Sequence, residues 1–384
     1  WYQRRVRGLS PETHTSITDE IVYAYLKAKP LNTSDMVALL DRKSKEDDEL
    51  LFKTAYDVAT KNVGELVHLR GIIEFSNCCD ADCLYCGIRK SADVERFTLS
   101  EQQIVQTARE AMKMYPGVLL QSGEIQSDAF VDRLIRVVNS IKQYAKEESP
   151  LGENFRIIIS VGELTKEQYA KLHAVGASRS LLRIETTNPQ IFRKIHDEES
   201  SLMARHQCLV DQKELNYHVG TGVLIGLPDQ TLYDLAKDVQ YFKNLGADMI
   251  GMGPLLIAKG TPMEKMYDKQ QVLQNLHTDS LFDTVRRMIA VTRMHNPKAN
   301  ISATTAMEVL EPHKGRVKAI LSGANVVMPI MTPVHQKVKY SLYEGKSEAQ
   351  SNILLLKQQI TQAGRQMNLL VAGDPVSWVE RQKK

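Results

Sequence analysis

The spacing of apolar residues along the chain changes near position 67. Before it, polar caps precede runs of helical periodicity. Ser16 and Asp19 mark one start, Asn32-Thr33-Ser34-Asp35 precedes Met36 to Leu40, and Asp47-Asp48-Glu49 precedes a third run. Two or three helices are therefore expected within an N-terminal extension, residues 1–66. Beyond it, short β-branched runs alternate with longer amphipathic segments. Strands are expected at 67–74, 118–121, 156–161, 179–184, 218–225, 249–253, 300–303 and 325–328. Helices are expected at 101–114, 131–146, 166–175, 232–245 and 279–294. Strands joined through helices make right-handed crossovers in a parallel sheet. Eight such units close most naturally into an α/β fold of the (β/α)8 TIM type. No linker, low-complexity tract or repeat interrupts the alternation, so the barrel is expected over 67–345, with a helical tail over 346–384 packed on it.

In such a barrel the chemistry sits on loops leaving the C-terminal strand ends, and the unusual polar residues fall there. Cys79, Cys83 and Cys86 follow the first run, Gln121-Ser122-Gly123-Glu124 the second and Gly162-Glu163 the third. Arg183, Glu185 and Thr186 follow the fourth, and Thr304-Thr305 the seventh. One site at the barrel mouth is the economical reading.

The cysteines form CxxxCxxC on a loop directly after a strand. Three thiolates satisfy three corners of a 4Fe-4S cluster and leave one iron without a protein ligand. A closed zinc site needs four ligands, commonly as two separated pairs, and no second Cys or His pair stands at suitable spacing. Spacing alone establishes only a three-thiolate site. The motif, with Tyr85 before its last cysteine, resembles that of the radical S-adenosylmethionine (SAM) superfamily. That resemblance implies that SAM chelates the open iron and is cleaved by one electron to a 5'-deoxyadenosyl radical. Cys78 offers a second register, but Cys78 to Cys83 is CxxxxC, and Cys78 is expected to be an unliganded neighbour. Cys208, in a helical stretch at 202–213, is expected to be an ordinary buried cysteine.

SAM brings an ammonium, a carboxylate, a ribose and an adenine, so its pocket needs an acid, a base and hydrogen-bonding backbone. Glu124 stands where superfamily members carry a Gly-Gly-Glu type motif that meets the SAM amino group, although a Gly-Glu pair alone is a common turn. Arg183 ends an apolar strand, where an unpaired charge is costly. It either pairs with Glu185 or Glu163, or binds the SAM carboxylate in bidentate fashion. The glycine-spaced strand Gly220 to Pro228, which carries Leu224, lacks GxGxxG spacing. Its glycines admit either adenine or a tightly packed neighbouring strand. Thr304 and Thr305 offer two hydroxyls at a helix start, for an anion or for capping alone.

Composition narrows the alternatives. A net charge of +3, from 49 basic and 46 acidic side chains, gives no reason to expect a nucleic-acid or membrane partner. No apolar stretch reaches spanning length, so a soluble protein is expected. Four of the five cysteines lie between 78 and 86, unlike a disulfide framework, which suits a reducing, anoxic compartment. The basic start Trp1 to Arg7 is either a presequence remnant, which would place the chain in a hydrogenosome- or mitochondrion-like matrix rather than the cytoplasm, or an arbitrary boundary.

Several stretches together resemble the FeFe-hydrogenase maturase HydE family: Arg70 to Asn77, Cys83 to Gly87, Leu120 to Glu124, Val161-Gly162-Glu163, Leu182 to Thr186, Ala303 to Met307 and Gly323 to Pro329. They run through nearly the whole barrel, and Gln-Ser-Gly-Glu and Ala-Thr-Thr-Ala-Met in this order are the selective ones. The resemblance implies one 4Fe-4S cluster and SAM as cofactors. It implies as substrate a small cysteine-bound iron complex carrying carbon monoxide and cyanide, and as partners other hydrogenase maturases and an electron donor. By position, Gln121, Ser122, Glu163, Arg183 and Tyr340 join Glu124 and Leu224 as SAM-pocket residues, and Thr304 and Thr305 become substrate or anion contacts. The chain departs from the pattern at Met331, Ile330 and Cys78, where Trp, Asn and Tyr are expected. No cysteine follows Cys208, so a second cluster is not expected. The rivals are a 3-methylornithine synthase-like or biotin synthase-like enzyme acting on an organic substrate, and a non-catalytic iron–sulfur scaffold.

Overall fold

The computed structural model describes residues 16–346, 352–367, 369 and 371–383. The basic start of the chain lies outside the described residues. The described residues form ten strands: β1 (Leu66–Leu69), β2 (Gly71–Ser76), β3 (Gly117–Ser122), β4 (Arg156–Ser160), β5 (Arg179–Leu181), β6 (His218–Ile225), β7 (Met249–Pro254), β8 (Asn300–Ser302), β9 (Val326–Val327) and β10 (Gln366–Met367). Every pairing between them is parallel.

Only Arg70 separates β1 from β2, and its N–H still donates to Val327 O at 3.2 Å. The two are one physical strand, paired on one edge with β9 and on the other with β3. Ile72 bridges to Ile330 beyond β9. The sheet therefore closes on itself, giving the expected eight-stranded barrel, and β10 adds to the start of β1 from outside the ring.

Helices cover the barrel with apolar stripes. In Asp128–Glu148, Val131, Leu134, Val138, Ile141 and Ala145 recur at helical spacing and are all buried. The Leu281–His295 helix is buried on nearly every side, because the N-terminal Lys45–Val63 helix packs over it. The N-terminal helices start at the polar caps seen in the sequence. Ser16 and Asp19 cap Ile17–Leu26 reciprocally, Asn32 and Asp35 do the same for Thr33–Leu40, and Ser44 accepts from Asp47 N.

Two features differ from expectation. The strand expected at 179–184 ends at Leu181, because Ile184 N turns to Thr221 Oγ1 and Glu185 takes a left-handed φ of 64°. Pairing resumes only at the Glu185 to Val223 bridge. The tail, expected to be helical, has strand β10 between its Ile353–Gln362 and Val376–Arg381 helices. Its last part lies across the N-terminal end of the barrel, where Asp374 pairs with both Arg156 and Arg179 and the Trp378 ring lies tilted against His218, centroids 3.9 Å apart. Among the described residues no helix is long and apolar enough to cross a membrane.

Candidate active site

The cysteine loop leaves β2 through the buried Asn77, whose side-chain amide donates to Glu95 O and Lys339 O, 2.9 Å each, while its oxygen accepts from Phe97 N at 2.7 Å. That turn divides the neighbouring thiols. Cys78 Sγ faces Thr98 Oγ1 at 3.7 Å and Phe97 O at 3.9 Å. Cys79, Cys83 and Cys86 instead line one cavity of about 260 Å³ at the C-terminal mouth of the barrel, and Cys78 does not. Gly123 lets the β3 loop pass close behind them: a Cβ there would lie 2.1 Å from Cys78 O and 2.7 Å from Cys79 Cβ. Glu124 N donates to Cys79 Sγ at 3.3 Å, and Asp80 N to Glu124 O at 2.8 Å.

Burial pushes all three thiols up, Cys86 to about 12, so without a bound cation they are neutral at physiological pH. A metal group would reverse that by stabilising the thiolates. Among the described residues no three His, Cys, Asp or Glu side chains form a group that could hold one metal ion as placed. Three thiols spread around one end of a cavity, with a backbone N–H already directed at one sulfur, fit an iron–sulfur cluster.

The same cavity is lined by Gln121, Ser122, Glu124, Arg183, Leu224, Thr304 and Tyr340. Glu163 and Thr305 do not line it. Glu163 stands behind the wall, paired with Arg205 Nε at 2.9 Å. Thr305 begins the short Thr305–Leu310 helix, and the Thr304 hydroxyl donates to Met252 O on β7 at 3.2 Å rather than capping that helix. Arg183 has taken the pairing open to it with Glu185, at 3.0 Å, and not with Glu163. It also donates to Val223 O at 2.8 Å, while its Nε has no hydrogen-bond partner. Tyr340 is fully buried, with its hydroxyl in contact with the Gln121 side chain.

Glu185, expected at the mouth as a partner for Arg183, also lines the cavity, and so do Arg205 and Tyr343, which were not foreseen from the sequence. Arg205 reaches Glu124 Oε2 at 3.1 Å, Glu163 Oε1 at 2.9 Å and Arg183 O at 3.1 Å. Burial raises both carboxyls, and their joint field outweighs the same effect on Arg205, which is held above its usual range. The cavity face carries two carboxyls (Glu124, Glu185) and two guanidinium groups (Arg183, Arg205), with Glu163 the third carboxyl of the network behind it. The sequence did hold a signal for Arg205. It shares the buried stripe of the Leu202–Glu214 helix with Cys208, Leu209 and Gln212, and a charge on an apolar stripe calls for a partner. Cys208 itself is buried and bonds only to Leu164 O, at 3.5 Å.

The family model described as the Radical SAM superfamily matches residues 73–242, and a parallel barrel with three thiols and paired charges at its mouth fits that class of enzyme. The FeFe-hydrogenase maturase subunit HydE of Thermotoga maritima is 38% identical over 303 residues, covering 78% of this chain and 80% of that one. The chain belongs to the HydE family. Membership implies a 4Fe-4S cluster and SAM as cofactors. The 3-methylornithine synthase of Methanosarcina acetivorans is 26% identical over 307 residues, covering 78% of this chain and 80% of that protein. The crystal structure of methylornithine synthase (PylB) shares the fold with a TM-score of 0.74, at 23% identity, over 96% of this chain and 99% of that one.

Proposed function

We propose that this chain is a hydrogenase maturase that acts on a small cysteine-bound iron carbonyl cyanide complex during assembly of the FeFe-hydrogenase cluster. Cys79, Cys83 and Cys86 hold a single 4Fe-4S cluster in this reading, because no other cysteine group exists in the sequence. When bound, that cluster supplies the electron that cleaves SAM to an adenosyl radical. The observation that carries the proposal is the convergence of the three thiols and the charged Glu124, Arg183, Glu185 and Arg205 on one cavity, in a chain 38% identical to a HydE.

The chain's own residues bind and orient. Glu124, held with Glu163 behind it by Arg205, faces the SAM ammonium from the cavity wall. Arg183, with its free Nε directed at no protein acceptor, receives the SAM carboxylate. Leu224 and Tyr340 enclose the nucleoside, with Gln121 and Ser122 at the strand end beside it. Thr304 contributes to the substrate end of the cavity, and Thr305 stands one residue outside it. Other maturases and an electron donor are the partners this role requires.

The test is anaerobic reconstitution with iron, sulfide, SAM and reductant, followed by a hydrogenase activation assay with and without the chain. Activation and 5'-deoxyadenosine formation that both depend on the chain are expected. Formation of 5'-deoxyadenosine without activation, together with turnover of an amino-acid substrate, would favour the methylornithine synthase alternative. In the same assay Arg183→Ala is expected to weaken SAM binding by about tenfold with the cluster intact.

A further inference from the structure

The main chain around Cys83 is held from outside the cavity by the segment that ends the Pro189–Ile195 helix. Leu84 N donates to Ile195 O at 2.9 Å, and Leu84 O accepts from Met263 N at 3.0 Å. On the other side of Cys83, Asp82 N donates to Asp197 Oδ2 at 2.7 Å. The second oxygen of Asp197 is fixed in turn by Ser200, whose N–H and hydroxyl both donate to it at 2.9 Å. Between these anchors the buried His196 ring stacks on Phe192 at 3.9 Å and meets Tyr85 edge-on at 5.7 Å. Asp82 passes the restraint on, its carboxylate accepting from Ser91 N and Ser91 Oγ at 2.9 and 2.8 Å. The middle cysteine thus sits on a span whose two flanking N–H groups are both claimed by residues 195–197.

We propose that Asp197 is a positioning residue for the iron–sulfur cluster, holding the Asp82 to Leu84 main chain so that the Cys83 sulfur stands where the cluster needs it. The inference rests on the reading that Cys79, Cys83 and Cys86 are the ligands. Asp197 does not line the cavity. Its effect reaches the cluster only through the peptide before Cys83. Groups that orient metal ligands typically change metal retention by about 10- to 100-fold when removed. A nearby negative charge also lowers a cluster's reduction potential.

The experiment compares Asp197→Ala and Asp197→Asn with the parent, each reconstituted anaerobically, by the rate of iron loss to a chelator and by the midpoint potential of the cluster. Asp197→Ala is expected to lose iron about tenfold faster, with its circular-dichroism melting curve close to the parent's. Asp197→Asn keeps one acceptor and removes the charge, so it is expected to lose iron more slowly than the alanine variant and to show a raised potential. Iron loss and potential equal to the parent's in both variants would overturn the proposal. Cys83→Ala is the separate control. Full cluster content in that variant would refute the ligand assignment itself, whereas a cluster lost in Cys83→Ala but unaffected in both Asp197 variants would refute only the positioning role.

Discussion

The two ends of the barrel solve the same problem, buried arginines, in opposite ways. At the N-terminal end Arg70 and Arg179 are almost fully buried, and the chain's own tail covers them: Arg70 donates to Gly373 O at 2.8 Å, and Asp374 pairs with Arg179 and with Arg156 at 2.8 Å. Asp248 at the same end accepts from both terminal nitrogens of the Arg381 guanidinium, Nη1 and Nη2, at 2.6 and 2.7 Å. At the C-terminal end the arginines are matched to carboxylates around an open cavity bordered by three thiols, and among the described residues no tail segment fills it. One end is closed by covalent continuity of the chain, and the other is left for a ligand. A barrel that works at its C-terminal face can spend its opposite face on stability, and the charge pairing shows that division here.

The largest effects are expected at the mouth. Cys83→Ala is expected to abolish the iron–sulfur absorbance after anaerobic reconstitution, and Cys78→Ala to preserve it, since Cys78 Sγ faces Thr98 and not the cavity. The reverse outcome would move the cluster to the other register. Next in size is Arg205→Gln, which leaves Glu124 and Glu163 buried without their shared cation. A loss of about 3 kcal/mol is expected in denaturant titration of the SAM-free protein. Unchanged stability would mean that the carboxyls do not need the guanidinium.

At the plugged end the effect is smaller. Burial alone would raise the Asp374 carboxyl, but the hydrogen bond from Arg156 and the charges of Arg179 and Arg156 outweigh it and hold the group at about 2, against 3.8 when free. Its stabilisation is complete above pH 3.8 and is lost as pH falls through about 2. Asp374→Asn at neutral pH should therefore cost about 2 kcal/mol, read as a lowered melting temperature.

The histidines of that end respond at milder acidity. Burial, and then the neighbouring arginines, lower His68 to about 3 and His218 to about 2 from 6.5. Below pH 6.5 the unfolded chain takes up protons that the folded chain refuses, so stability is full above 6.5 and falls with pH. Each histidine contributes about 1.4 kcal/mol per pH unit. Denaturant midpoints at pH 7, 6 and 5 should show the decline, and His218→Asn should make it shallower by about one proton. A flat profile would show that water or an anion reaches these rings.

The mouth was legible in the sequence because its chemistry is local. CxxxCxxC, Gln-Ser-Gly-Glu and Ala-Thr-Thr each stand directly after an apolar run, so periodicity and motif reinforce one another. The helix starts at Ser16 and Asn32 were legible for the same reason, since a cap and its partner lie three residues apart. Arg205 escaped because its partners at 124 and 163 come from two other loops, and nothing in its own helix names them. The choice of Glu185 over Glu163 for Arg183 depended on the left-handed turn at Glu185, a conformation that a non-glycine residue does not announce. The plug at Asp374 was invisible for the plainest reason: its contacts with Arg156 and Arg179 span 218 and 195 residues, and a tail with helical spacing gave no sign of strand β10.

Electron paramagnetic resonance of the reduced, anaerobically reconstituted chain, with and without SAM, tests directly for a cluster held by three protein thiolates with SAM beside it. One 4Fe-4S signal whose g values shift when SAM is added is the expected result. A signal indifferent to SAM, or three thiols occupied by zinc with no cluster formed, would contradict it.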